Sequence, residues 1–76
     1  MMFLDKDDMT AVDSGIALME RGIRQQERII TELRRLGEPT QLAEKFLLRL
    51  RDTLETRRHY RDRMLVESAE APPSLA

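Results

Sequence analysis

The chain has no cysteine, which removes disulfides and thiolate metal ligands from the ways in which 76 residues can be stabilised. It also has no tryptophan, one tyrosine and two phenylalanines, so large aromatic side chains contribute little to any core. Because small domains bury a modest share of their surface, we expect stability to come from regular helix packing or from self-association.

Long apolar runs and an excess of charge of one sign are also missing. The apolar stretches are only a few residues long, so no transmembrane helix is expected, and the first eight residues do not resemble a signal peptide. Thirteen basic and fourteen acidic residues nearly cancel, which gives no general case for binding nucleic acid or anionic membranes. We therefore expect a cytoplasmic protein that does not bind membranes.

Proline and glycine are few, and they divide the chain. The only strong internal break is the turn sequence at residues 37–39, Gly-Glu-Pro. The acidic residues 1–9 are expected to fray, and residues 68–76, which are small and proline-rich, are expected to be disordered. Two segments of nearly equal length remain, at 10–36 and 40–66.

Each segment carries a stripe with the spacing 4, 3, 4, 3, 4, 3, which is typical of helices in coiled coils and bundles. The first stripe consists of Val12, Ile16, Met19, Ile23, Gln26, Ile30 and Leu33. The second stripe consists of Ala43, Leu47, Leu50, Leu54, Arg57, Arg61 and Met64. The pattern predicts two helices, over 10–36 and 40–66.

The connection between the helices predicts their direction. Gly37 is the natural residue for a left-handed helix cap, and either Pro39 at the first helical position or Thr40 as N-cap opens the second helix. So short a connection makes the helices antiparallel neighbours. Reflection about residue 38 or 39 places Ile23 opposite Leu54. The predicted fold is all-α, an antiparallel two-helix hairpin.

A single hairpin has one narrow seam, and isolated two-helix units are marginal. We therefore expect a homodimer, as a four-helix bundle or an antiparallel coiled coil, that also covers Ile29 and Phe46. Gly15 and Gly22 lie seven residues apart and are expected to allow a close helix contact. The residues predicted to form the core and interface are Ile16, Met19, Ile23, Ile30, Phe46, Leu47, Leu50 and Leu54.

Gln26 interrupts the first apolar stripe with a polar side chain. One interpretation is that it fixes the register or oligomeric state of the helices. The other is that it lies at the wet edge of the stripe. The sequence favours neither interpretation.

A cluster of arginines is the most conspicuous local feature of the second segment. Arg57, Arg58, Arg61 and Arg63 surround His59 and Tyr60, as an anion or nucleic-acid contact would require. On a helix, however, these residues spread around most of the circumference. An antiparallel hairpin also places them beside an acidic region, and we favour charge pairing with Asp5, Asp7, Asp8, Asp13 and Glu20.

No pattern in the sequence supports catalysis. His59 is the only histidine, and no metalloprotease motif, glycine-rich phosphate loop or serine–histidine–aspartate arrangement occurs. We expect no enzyme, no metal site and no cofactor. The predicted function is that of a small interaction or regulatory module that self-associates or docks a partner helix. The alternative is nucleic-acid or anionic-ligand binding through the arginine cluster.

The sequence resembles a group of short helical-hairpin proteins of unknown function from alphaproteobacteria. The resemblance covers roughly residues 15–65 and is carried by the runs 28–33, 43–44, 47–48 and 59–63, with Gly37, Thr40 and Leu54. Pro39 departs from the acidic residue that is common there. The resemblance implies a bacterial hairpin protein and supplies no activity.

Overall fold

The computed structural model describes residues 6–70, with side chains described from Asp8 to Glu67. Two α-helices, α1 (Lys6–Arg35) and α2 (Gln41–Glu70), account for nearly all of this range, and the two helices pack against each other. No strand occurs among the described residues. The predicted all-α hairpin is therefore confirmed, whereas its pairing into a four-helix bundle stays a prediction.

Both helices are longer than the sequence patterns indicated. α1 begins at Lys6, four residues before the expected start at residue 10. Asp8 lies in its first turn, where negative charge is favourable for the helix dipole. α2 continues to Glu70, through the first residues of the segment expected to be disordered. Residues 1–5 and 71–76 of the two expected flexible ends lie outside the described residues.

The end of α1 is closed by a glycine cap of the predicted kind. Gly37 has a φ of 73°, in the left-handed region where a side chain is strained. Its N–H donates to the carbonyl of Arg34 at 3.0 Å, and the N–H of Glu38 donates to that of Leu33 at 2.8 Å. These two bonds form a Schellman motif, which satisfies carbonyls that have no partner within the helix.

The start of α2 decides between the two openings that the sequence allowed. The helix begins at Gln41, so Thr40 is the N-cap residue and Pro39 lies outside the helix. The carbonyl of Thr40 accepts the first helical bond from the N–H of Glu44, and its hydroxyl donates to the Glu44 carboxylate at 3.2 Å. Glu44 also places negative charge in the first turn, where it is favourable.

The core is a single seam between the two helices. Five predicted residues, Ile16, Ile23, Ile30, Leu47 and Leu54, form a buried cluster, and Val12, Met19, Ala43 and Leu50 pack against it half-buried. Met64 is 4% exposed. Apolar burial thus extends to the open end of the hairpin. Phe46 is 52% exposed in the hairpin, and its expected burial by a second copy stays a prediction.

Candidate interaction surface

The seam divides the hairpin into two edges of different chemistry. Residues seven apart lie on the same side of a helix that packs in this way, so each edge is a row of heptad-spaced positions. One edge, called the ladder edge below, follows the stripe residues Met19, Gln26 and Leu33. It consists of Asp13, Glu20, Glu27 and Arg34 on α1 and Glu44, Arg51 and Arg58 on α2.

Ion pairs between the helices run along the ladder edge. Arg34 pairs with Glu44 at 2.7 Å, Arg51 with Glu27 at 2.8 Å, and Arg58 with Glu20 at 2.6 Å. Each of these pairs is symmetric about residue 39, in agreement with the predicted reflection of the chain. All six side chains are at least about one third exposed, so each pair is worth about 0–1 kcal/mol and acts mainly on register.

Two residues of the arginine cluster form ion pairs with α1. Arg58 binds Glu20, and the Nη1 of Arg61 lies 3.7 Å from Asp13 Oδ1, so two of the acidic partners expected from the sequence are in place. Arg61 also occupies a stripe position, where its Nε is buried without a hydrogen-bond partner in the described region. The side chains of Asp5 and Asp7, two further expected partners, lie outside the described residues.

The other half of the cluster faces solvent. Arg57, His59 and Arg63 are exposed, and no ion pair within the described range involves Arg57 or Arg63. Because two of the four arginines are held by carboxylates across the seam, the cluster does not present four free guanidinium groups on one face. Its main observed role is to tie the open end of α2 to α1.

Gln26 reaches across the seam to the other helix. Its side-chain nitrogen donates to the carbonyl of Ala43 at 3.0 Å, and the contact is half-buried. A hydrogen bond of this kind contributes about 0.5–1.5 kcal/mol and is sensitive to the offset between the helices. Of the two interpretations of Gln26, the register-fixing one matches this geometry.

The second edge, called the apolar edge below, carries almost no charge. On α1 it consists of the residues that directly precede Ile16, Ile23 and Ile30, and of Leu36, which is seven residues further on. On α2 it consists of the residues that directly precede positions 47, 54 and 61. Its members are Gly15, Gly22, Ile29 and Leu36 on α1 and Phe46, Thr53 and Tyr60 on α2. Because the ion pairs fix the opposite edge, these two rows lie side by side.

The apolar edge is open to solvent. Ile29 is 42% exposed, Leu36 56% and Tyr60 59%, with Phe46 at a similar value. Leu42 is more exposed still and, one helical turn before Phe46, lines a shallow groove with it, Lys45 and Arg49. Exposed apolar side chains that are grouped in this way mark interaction surfaces, whereas scattered ones do not.

The two glycines of the apolar edge do not bring α1 and α2 close together, because both precede the stripe positions and do not occupy them. A Cβ atom added at Gly22 would meet no atom within 4 Å, so this glycine faces empty space on the apolar edge. At Gly15 the Nη1 of Arg57 would lie 3.3 Å away, which is a contact with a flexible side chain and not with a backbone. The close helix contact expected at the glycines therefore stays a prediction.

An exposed ion pair near the end of α1 shifts the pKa of both of its partners. Arg35 donates two hydrogen bonds to the Glu32 carboxylate, which lowers the pKa of that carboxyl, and the same contact raises the pKa of Arg35. Both groups are solvent-exposed and lie one turn apart on the same helix. The pair supports the last turn of α1 and has no connection to a pocket or a nucleophile.

Within the described range no group of three or more metal-ligating side chains comes together, and neither helix is apolar enough to cross a membrane. No protein family, curated protein or solved structure gives a match to this chain.

Proposed function

We propose that this chain is a non-enzymatic interaction module whose apolar edge pairs with a second copy, so that two hairpins form a four-helix bundle. The observation that carries the proposal is the exposure of Ile29, Leu36 and Phe46 in the two adjacent rows of the apolar edge. A four-helix bundle buries such flanking positions, because each helix then contacts two neighbours.

The single seam of the hairpin supports a second copy. The buried residues all lie between α1 and α2, so the side of each helix that faces away from the seam is uncovered. A second hairpin that packs on that side gives each helix a second neighbour.

The chemistry of the two edges supports the apolar one as the site of pairing. The carboxylates and guanidinium groups of the ladder edge already have partners within the chain. The apolar edge offers no such groups, and removing its side chains from water is favourable by about 25 cal/mol per Å². A partner helix of the same amphipathic kind is the other occupant that this edge fits, and the experiment below separates the two.

A matched pair of substitutions on α2 tests the proposal. Phe46 and Leu48 are both exposed in the hairpin, at 52% and 63%, but only Phe46 lies on the apolar edge. We expect Phe46→Asp to weaken self-association at least about tenfold, since burying a charge at an interface costs more than 1.4 kcal/mol. We expect Leu48→Asp to leave it within about threefold of the wild type, by the same conversion.

Sedimentation equilibrium at several concentrations gives both dissociation constants, and circular dichroism verifies that the variants remain helical. Equal effects of the two substitutions would remove the apolar edge as the site of pairing. A wild-type chain that is helical and monomeric at all concentrations would overturn the proposal and leave the partner helix as the occupant.

A further inference from the structure

The row of residues on the α1 side of the apolar edge has a direction. Read along the chain it runs small, small, large, large: Gly15, Gly22, Ile29, Leu36. Gly22 faces empty space, whereas Ile29 and Leu36 project exposed side chains. When a second copy of the row is laid against it in the opposite direction, the large residues of each row therefore lie over the small residues of the other.

From this pattern we infer that the two copies pair antiparallel through α1, about a twofold axis that crosses the helix between residues 25 and 26. The inference rests on the proposed self-association. In this arrangement Ile29 of each copy lies over Gly22 of the other, and Leu36 lies opposite Gly15. A single axis satisfies both contacts, because 22 with 29 and 15 with 36 share the same midpoint. Such reciprocal contacts define a twofold interface between identical chains.

The opposite arrangement, with both turns at the same end, fits less well. It would place Gly22 against Gly22 and Ile29 against Ile29, which leaves a gap at one level and crowds the other. Interfaces pack as densely as protein interiors, so gaps and overlaps both weaken them. The alternation of empty and filled positions therefore favours the antiparallel pair.

The face of the hairpin that carries the apolar edge is large enough for a stable dimer. Each helix has 30 residues and is about 45 Å long, and two helices side by side are about 20 Å wide. One face of the hairpin thus covers about 900 Å², against the ~800 Å² that each partner contributes to an interface of standard size. Among the described residues of this edge no carboxylate lies between Gly15 and Leu36 on the α1 row, so pairing like with like brings no repulsion there.

The contact between Gly22 and Ile29 is the better one to test. Gly22 is open, whereas the guanidinium of Arg57 reaches over Gly15 and would have to move to admit Leu36. The absence of cysteine from the chain makes disulfide trapping specific, since every thiol is one that has been introduced.

The experiment mixes Gly22→Cys chains with Ile29→Cys chains that carry a mass tag, and oxidises the mixture gently. In the antiparallel pair residue 22 lies beside residue 29 of the other copy, whereas two residues of the same number are offset by about 10.5 Å along the axis. A disulfide requires Cα atoms within about 7 Å, so we expect the mixed disulfide to predominate over like-with-like products by at least about tenfold.

Chains with Arg24→Cys and Thr31→Cys provide the matched control. These two residues have the same separation along α1 and are exposed, but they lie away from the apolar edge. We expect only background cross-linking from their mixture. The yield of each disulfide is read by mass spectrometry of the intact chains.

Three failures are distinguishable in this design, because the mass of each reduced mixture is measured first by light scattering. A monomer would overturn the proposed self-association itself. A dimer that yields mainly 22–22 and 29–29 disulfides would overturn the antiparallel pairing and leave the self-association standing. A dimer that cross-links as strongly through residues 24 and 31 would place the interface on another face.

Discussion

Replacing Ile23 with aspartate is expected to unfold the hairpin. Ile23 is 9% exposed and lies in the middle of the buried cluster. Removing a buried isoleucine costs about 2–5 kcal/mol, and burying a carboxylate in its place costs more. A domain of this size has about 3–5 kcal/mol of stability in total, so the substitution exceeds what the fold can tolerate.

The measurement is the helical signal in circular dichroism, followed through a urea titration. Leu48→Asp is the matched control, because it makes the same change from an apolar residue to aspartate at a side chain that is 63% exposed. We expect the control to unfold cooperatively near the wild-type midpoint and Ile23→Asp to lack a folded baseline. A helical Ile23→Asp chain with wild-type mass would show that the seam does not hold the helices together.

Exchanging the residues at positions 22 and 29 is expected to separate association from folding. Gly22→Ile alone places an isoleucine against Ile29 of the other copy, and overpacking of this kind costs about 1–3 kcal/mol at each site. The twofold axis doubles the cost, so the dissociation constant should rise at least about thirtyfold. The added side chain starts from a Cβ that meets no atom within 4 Å in the hairpin, so the helices themselves should remain folded.

The double variant Gly22→Ile with Ile29→Gly restores one large and one small residue at each contact. We expect its dissociation constant to return to within about fivefold of the wild-type value, which is a smaller change than the tenfold that corresponds to 1.4 kcal/mol of binding free energy. Ile29→Gly alone leaves two glycines facing each other and should weaken association, which makes the set a complete double-mutant cycle. Stronger association of Gly22→Ile than of the wild type would indicate pairing with the turns at the same end.

The seam and the turn could be predicted from the sequence because each rests on a local rule. Heptad spacing identifies Ile16, Ile23 and Ile30 without knowledge of the partner helix, and a short connection then makes the partner antiparallel. Gly37 follows from the rarity of left-handed backbone in other residues. The helix ends could not be predicted to the residue, because residues 6–9 and 67–70 combine polar and small side chains that neither require nor forbid a helix.

The two edges were harder to predict than the seam. They depend on which row of residues beside the α1 stripe lies next to which row beside the α2 stripe. The ion pairs of the ladder edge leave a signal in the sequence, because charged residues recur every seven positions in both segments. They are Glu20, Glu27 and Arg34 in the first segment and Glu44, Arg51 and Arg58 in the second. Only reflection about residue 39 reveals that these charges are opposite in sign at each level. Gly22 and Phe46 precede stripe residues in the heptad pattern, which places them beside the seam, and Phe46 is accordingly expected at the contact with a second copy.

Light-scattering mass of the wild-type protein across a dilution series, with circular dichroism on the same samples, shows whether a second copy of the chain covers the apolar edge. We expect twice the chain mass of 8.9 kDa at high concentration and one chain mass on dilution. We expect helicity to persist on dilution, because the seam lies within each hairpin. A mass of one chain at every concentration would mean that no second copy covers this edge.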